Sequence, residues 1–259
     1  MKLLIQGGMV IDPKNKIEQT ADILIEDGKI VRVAQSISTD GAQILNASGM
    51  TVAPGLVDLH VHFRDPGYEY KEDVETGSRA AARGGVTSVV CMPNTSPVID
   101  NAALVKYVTD KGKAVGLAHV YTNGCISKGM KSEELSEMAE LKQAGAVGVT
   151  DDGRPVMTSG LMRKALEYAK MFDLPVLSHS EDLDLVDGGS MNEGIVAAQL
   201  GLRGIPKAAE SAAVARDVLI AEEMGAHLHV CHVSTRNSID CIRQAKKRGA
   251  RITCETAPH

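Results

Sequence analysis

His60 and His62 stand two residues apart in the run VDLHVH. In a β-strand, where side chains alternate between faces, that spacing turns both imidazoles to one side, where they can grip a single metal ion. Taken alone, the pair fits an ordinary strand end with two half-exposed histidines at least as well. Three further places shift the balance. Asp151 with Asp152, then His179, then His232 each close a short apolar run, so each is expected where a strand hands over to a loop. Imidazole and carboxylate without thiolate form the donor set of a catalytic zinc site that keeps one coordination position open.

His119, His227, His229 and His259 are weaker candidates. His227 and His229 have strand parity opposite to His232, so a His232 that faces a metal would leave them packing toward a helix layer. The five cysteines are odd in number and contain no C-x-x-C pair, which argues against a disulfide framework or a thiolate zinc site. Cys231 is expected to pack as a small hydrophobe. Arg64 and Asn94 fall just after the first two strands of the repeating part of the chain, where loops shape a pocket. Arginine holds a carboxylate with a two-pronged fork, and asparagine adds a directional hydrogen bond.

These residues need elements to position them. Short strands are expected over residues 2–6, 9–11, 21–26, 29–34 and 43–46, with Asp27-Gly28 as a two-residue hairpin turn. Residues 1–50 therefore read as a small β domain, and residues 51–259 as a second domain. From Thr51 onward β-branched apolar runs alternate with helical stretches, and strands start near 51, 86, 114, 147, 175, 227 and 251, about 33 residues per unit, the size of a βα repeat. Ser132, followed by Glu133 and Glu134, is expected as a helix N-cap, and Gly84, Gly112, Gly145, Gly225 and Gly249 as helix ends.

Short connections between strand and helix imply parallel strands. A doubly wound sheet would carry G-x-G-x-x-G after its first strand, and none occurs there. Polar residues at the strand ends favour a (β/α)8 TIM-type barrel, whose active sites lie at those ends. Seven strands are one short of eight, so the chain is expected to be the front part of a longer protein.

Composition narrows the function. Hydrophobic residues make up 44% and charged residues 24% of 259 residues, the balance of a soluble globular protein. A net charge of −5, no Trp and scattered basic residues speak against nucleic-acid binding. No apolar run approaches the ~20 residues of a membrane span, and the start MKLLIQGG breaks at glycines before a signal-peptide core can form. A cytoplasmic protein acting on a small molecule is expected.

The segments PGLVDLHVHFRDPG at 54–67, YKED at 70–73, Thr76-Gly77, GGVT at 84–87 and MPNT at 92–95 resemble dihydroorotases of the amidohydrolase superfamily, in their bacterial class I type. SHS at 178–180, HVST at 232–235 and ETAPH at 255–259 continue the resemblance over nearly the whole chain. The H-x-H pair marks only the superfamily. FRDPG and MPNT together favour dihydroorotase over its allantoinase and hydantoinase relatives.

The resemblance implies one or two zinc ions, two favoured, held by His60, His62, His179 and His232 with a shared carboxylate, which Asp152 matches better than Asp151. Many relatives use a carboxylated lysine there; GVTDDG at 148–153 contains none. Arg64 and Asn94 match the family's contacts to the substrate carboxylate, and Asp65 stands where many relatives carry Glu. The family's general acid/base aspartate, on strand eight, and the C-terminal part of its β sandwich lie beyond His259. A chain ending at His259 is therefore expected to lack appreciable activity. The implied reaction interconverts N-carbamoyl-L-aspartate and L-dihydroorotate in pyrimidine biosynthesis, carried out by a homodimer. The alternatives are an allantoinase- or hydantoinase-like enzyme, or an inactive homologue that serves as an assembly partner of aspartate transcarbamoylase. The retained histidines speak against the last.

Overall fold

The computed structural model describes residues 1–38 and 41–258; His259 lies outside the described residues. The chain divides into two compact units, Met1–Leu56 and Val57–His259.

In the first unit β1 (Lys2–Asp12), β2 (Ile17–Glu26) and β3 (Lys29–Ala34) form an antiparallel meander, and β4 (Gln43–Asn46) and β5 (Thr51–Val52) pair in parallel with β1. The two strands expected at 2–6 and 9–11 are one. β1 pairs with β2 on both sides of a register shift between Ile5 and Gly8, where Gly7 takes a φ of 71°. A bulge offsets the alternation of side chains, so one strand reads as two. At the β2–β3 turn Asp27 and Gly28 have φ of 49° and 77°, the left-handed pair a tight hairpin needs.

The second unit opens with β6 (Leu56–Val61), α1 (Val74–Arg83), β7 (Val86–Cys91), α2 (Ala102–Val115), β8 (His119–Thr122) and α3 (Met138–Ala144). It continues through β9 (Val149–Thr150), α4 (Ser159–Lys170), β10 (Val176–Ser178), α5 (Leu183–Val186), β11 (Met191–Asn192), α6 (Ile195–Leu200) and β12 (Gly204–Ile205). It closes with α7 (Ala208–Met224), β13 (Leu228–Val230), α8 (Arg236–Lys247) and β14 (Ile252–Cys254). The first barrel strand begins at Leu56 because Thr51 and Val52 pair with β1 instead.

β6, β7 and β8 hydrogen-bond side by side, as do β9, β10, β13 and β14. A parallel bridge from Gly124 to Val149 joins the two sets. The seven strands form one series in the (β/α) alternation of a TIM-type barrel. β11 and β12 pair only with each other, in the excursion between β10 and α7.

Val89, Val120, Val149, Val176 and Val230 face the helices and share one core with Val105, Leu141, Leu166, Val218 and Ile242. The opposite strand face lines a concave interior of about 560 Å³ with Leu59, Val90, Tyr121, Leu177, His227 and His229. His227 and His229 thus face the interior and not the helix layer. Strand alternation does not run through to His232, because β13 ends at Val230 and His232 has a left-handed φ of 36°.

Helix ends follow capping chemistry at most of the expected places. Asp73 and Thr76 cap α1 reciprocally, and left-handed Gly145 and Gly225 close α3 and α7. Gly112 does not end α2, which runs on to Gly116. A Cβ at Gly112 would stand 2.4 Å from the Val120 Cβ, so this glycine lets α2 lie close on β8. Ser132 is not an N-cap: it sits in a loop with a φ of 59°, its hydroxyl accepts from the Met157 N–H at 3.3 Å, and α3 begins only at Met138. No described helix is long and apolar enough to cross a membrane.

Candidate metal centre

Asp152 follows β9 and is almost fully buried, with a side-chain exposure of 5%. Four imidazoles surround it. From the end of β6, His60 Nε2 lies 3.5 Å from Oδ1 and His62 Nε2 lies 3.5 Å from Oδ2. From the far side, His179 Nδ1 after β10 and His232 Nε2 after β13 lie 3.4 and 3.6 Å from Oδ1, and 2.9 Å from each other. His60, His62 and Asp152 form one group able to hold an ion, and Asp152, His179 and His232 a second, the ligand atoms of each lying within 4.8 Å of one another. The carboxylate is common to both.

Adjacent Asp151 turns the other way. It accepts hydrogen bonds from the backbone N–H of Ile126 at 2.8 Å and of Ser127 at 3.1 Å, and from the Ser127 hydroxyl. Burial pushes its carboxyl up to about 6 against the pull of those donors. It anchors the loop after β8 and faces no imidazole.

Electrostatics follow from the crowding. Burial would raise Asp152, but hydrogen bonds from His179, His232 and His60 outweigh it and hold the carboxyl far below the ordinary range. Burial would lower His60, yet its bonds to Asp152, Cys231 and Glu255 drive it up to about 12. His62 moves down, through burial and, secondarily, the positive charges of Arg64 and His60. The carboxylate is thus balanced by imidazole protons that a cation would displace.

Asn94, after β7, spans the first group. Its Oδ1 lies 3.0 Å from His62 Nδ1, and its Nδ2 donates to Asp152 Oδ2 at 3.3 Å. Arg64, with a φ of 61°, reaches Asn94 Oδ1 through Nη1 at 3.5 Å. All of the residues singled out for metal or substrate therefore lie together, apart from Asp151. His119 is exposed on β8 and takes no part.

Glu255 joins the site from beyond β14, a place its residue type alone does not announce. Its Oε1 meets His60 Nδ1 at 2.5 Å and its Oε2 lies 3.3 Å from His229 Nε2, so the carboxylate fixes the His60 ring with Nε2 toward Asp152. The available signal was its position just past the seventh strand. Cys231 is buried, and burial pushes its thiol up to about 11. With His60 and Glu255 it makes a third group of possible donors that shares His60.

The donor chemistry of the two groups around Asp152, imidazole plus carboxylate, fits zinc. A large cavity of about 830 Å³ opens beside His179 and His232, bordered by Asn192, Lys207 and Arg236.

Residues 49–238 match the dihydro-orotase-like family. A dihydroorotase of Syntrophotalea carbinolica is 58% identical over 100% of this chain and 61% of its own length. One of Acetivibrio thermocellus is 56% identical over 99% of this chain and 60% of its own. The chain thus spans about 61% of the curated relatives that it matches. Among solved structures, an L-hydantoinase (dihydropyrimidinase) from Arthrobacter aurescens superposes with a TM-score of 0.81 at 23% identity, over 99% of this chain and 58% of that one. That likeness speaks to the fold. The matched span includes β6 to β13 and every side chain around Asp152, and on it the chain belongs to the dihydro-orotase-like family.

Proposed function

We propose that the protein is a zinc-dependent dihydroorotase that interconverts N-carbamoyl-L-aspartate and L-dihydroorotate in pyrimidine biosynthesis, as a cytoplasmic homodimer. The observation that carries this reading is the Asp152 carboxylate set between two pairs of imidazoles. Family membership and the dihydroorotase names of the relatives support it.

In this reading His60 and His62 would hold one zinc ion and His179 and His232 a second, with Asp152 a donor common to both groups. The chemistry such ions would supply there is acidification of a water toward neutral pH and polarisation of the ring carbonyl. Arg64 grips the substrate carboxylate with its planar fork, and Asn94 orients both His62 and that carboxylate. Local attraction is needed because the chain carries −5 overall. Glu255 keeps His60 in the tautomer and orientation that present Nε2.

The test is turnover of dihydroorotate, allantoin and hydantoin by the protein at the full length of its relatives, beside the 259-residue chain, with zinc content and mass in solution. Dihydroorotate preferred by orders of magnitude, with zinc bound in a dimer, is the expected result. Preference for either other ring would move the reading to a hydantoinase- or allantoinase-like enzyme. No turnover despite bound zinc, in a protein extended to the full length of its relatives, would favour an assembly role, which binding to aspartate transcarbamoylase would then test.

A further inference from the structure

Arg216 and Asp217 stand side by side on α7, and each reaches a segment that carries one residue of the cage around Asp152. Asp217 is fully buried, and its Oδ2 accepts from the Ser178 hydroxyl at 2.5 Å. Ser178 ends β10 and immediately precedes His179. Its oxygen also lies 2.9 Å from the Ser180 hydroxyl, so hydroxyls on both sides of His179 join one network. Arg216 donates to the backbone carbonyls of Val156 and Met157, each at 2.7 Å. Those carbonyls lie in the same loop as Asp152, between β9 and α4. Arg216 Nε also donates to Asp217 Oδ1 at 2.7 Å, which locks the two arms together.

Docking α7 does not need this arrangement. Val214, Val218 and Ala221 already bury its apolar face in the core. An ion pair beneath a helix is a weak source of stability, because desolvation offsets most of its attraction. What it can add is a fixed geometry, since a guanidinium with three directed bonds and a carboxylate with two admit little sliding. Burial pushes the Asp217 carboxyl upward against the pull of Arg216 and Ser178, so its ionised form depends on both partners.

We infer that Arg216 and Asp217 are a positioning pair, a brace that sets the spacing of His179 from Asp152 and through it the geometry of the second metal group. The inference rests on the metal reading proposed above.

The experiment uses the intact protein loaded with cobalt(II), whose visible spectrum reports ligand geometry, together with chelator competition and steady-state kinetics. Asp217→Ala is expected to weaken retention of one metal equivalent about 10–100-fold, to alter the cobalt spectrum, and to lower kcat more than it changes KM. Asp217→Asn, which keeps an acceptor for Ser178, should recover part of the loss. Val218→Ala, a neighbouring core truncation, should lower thermal stability while leaving affinity and spectrum unchanged. Metal affinity and spectrum in Asp217→Ala no different from those of Val218→Ala would overturn the inference. If Asp217→Ala does not fold, Ser178→Ala and Arg216→Lys cut each arm separately, and an unaltered spectrum in both would overturn it equally. Failure of the unsubstituted protein to take up cobalt would refute the metal reading first, and this inference with it.

Discussion

Asp151 and Asp152 are neighbours in sequence with opposite surroundings: one carboxylate is clasped by the backbone N–H groups of Ile126 and Ser127, the other by four imidazoles. Their replacements should separate accordingly. Asp151→Ala leaves two buried N–H donors unmatched and is expected to cost about 2–4 kcal/mol of stability, with metal content retained in the molecules that fold. Asp152→Ala should instead strip metal, beginning with the more weakly held ion, and reduce kcat more than ~100-fold. Elemental analysis beside thermal denaturation reads both. Loss of metal in the Asp151 variant with retention in the Asp152 variant would reverse the assignment.

Arg64 is tested by keeping its charge and removing its shape. Arg64→Lys loses the planar fork, so kcat/KM for carbamoyl aspartate should fall about 10–100-fold while zinc stoichiometry stays fixed. Unchanged kinetics would remove Arg64 from the substrate site.

Asp65, next to Arg64, has a fully buried carboxylate that accepts from Lys111 Nζ at 2.6 Å and Tyr107 Oη at 2.9 Å. Bonding to Asp65 raises Lys111 above its ordinary value of 10.5. A cation held more tightly in the fold contributes its full stability below the unfolded value and loses it as pH rises through the folded one. Lys111→Met should therefore destabilise by about 1–2 kcal/mol, the buried-pair figure reduced because the lysine is partly exposed. That deficit should hold constant from neutral pH to about 10 and shrink above 10.5. Denaturant titrations at pH 7, 9 and 11 measure it, and a deficit that grew with pH would exclude the pair as its source.

Gly112 tests packing. An added methyl would stand 2.4 Å from the Val120 Cβ, far inside van der Waals contact, so Gly112→Ala should cost about 1–3 kcal/mol despite the better helix propensity of alanine. A more stable variant would show that α2 can shift away from β8.

Period-two spacing carried His60 and His62 to one face because both lie on a single strand end. Asp152, His179 and His232 were legible as polar residues closing apolar runs, which is where parallel strands end. His229 was misplaced since parity holds only while the backbone stays extended, and the left-handed turn at His232 resets it. Glu255 was invisible as a partner of His60, because nothing local in a sequence links residues 195 positions apart. Gly112 read as a stop because glycine ends many helices, whereas here the requirement came from Val120 on another element. Ser132 had the residue types of a cap, but its hydroxyl is engaged by Met157. Local signals were thus readable where the backbone is regular, and failed where a distant neighbour decides.

The hydrogen bond between His60 and Glu255 spans 195 residues of chain. Bringing such distant points together costs loop entropy that only the docked intervening units can offset. The cage around Asp152 is therefore complete only where the early strand, the middle loops and the last strand are all in place. On the metal reading proposed above, an ion held in part by His60 would bind at full strength only to a chain in which that long-range order is established.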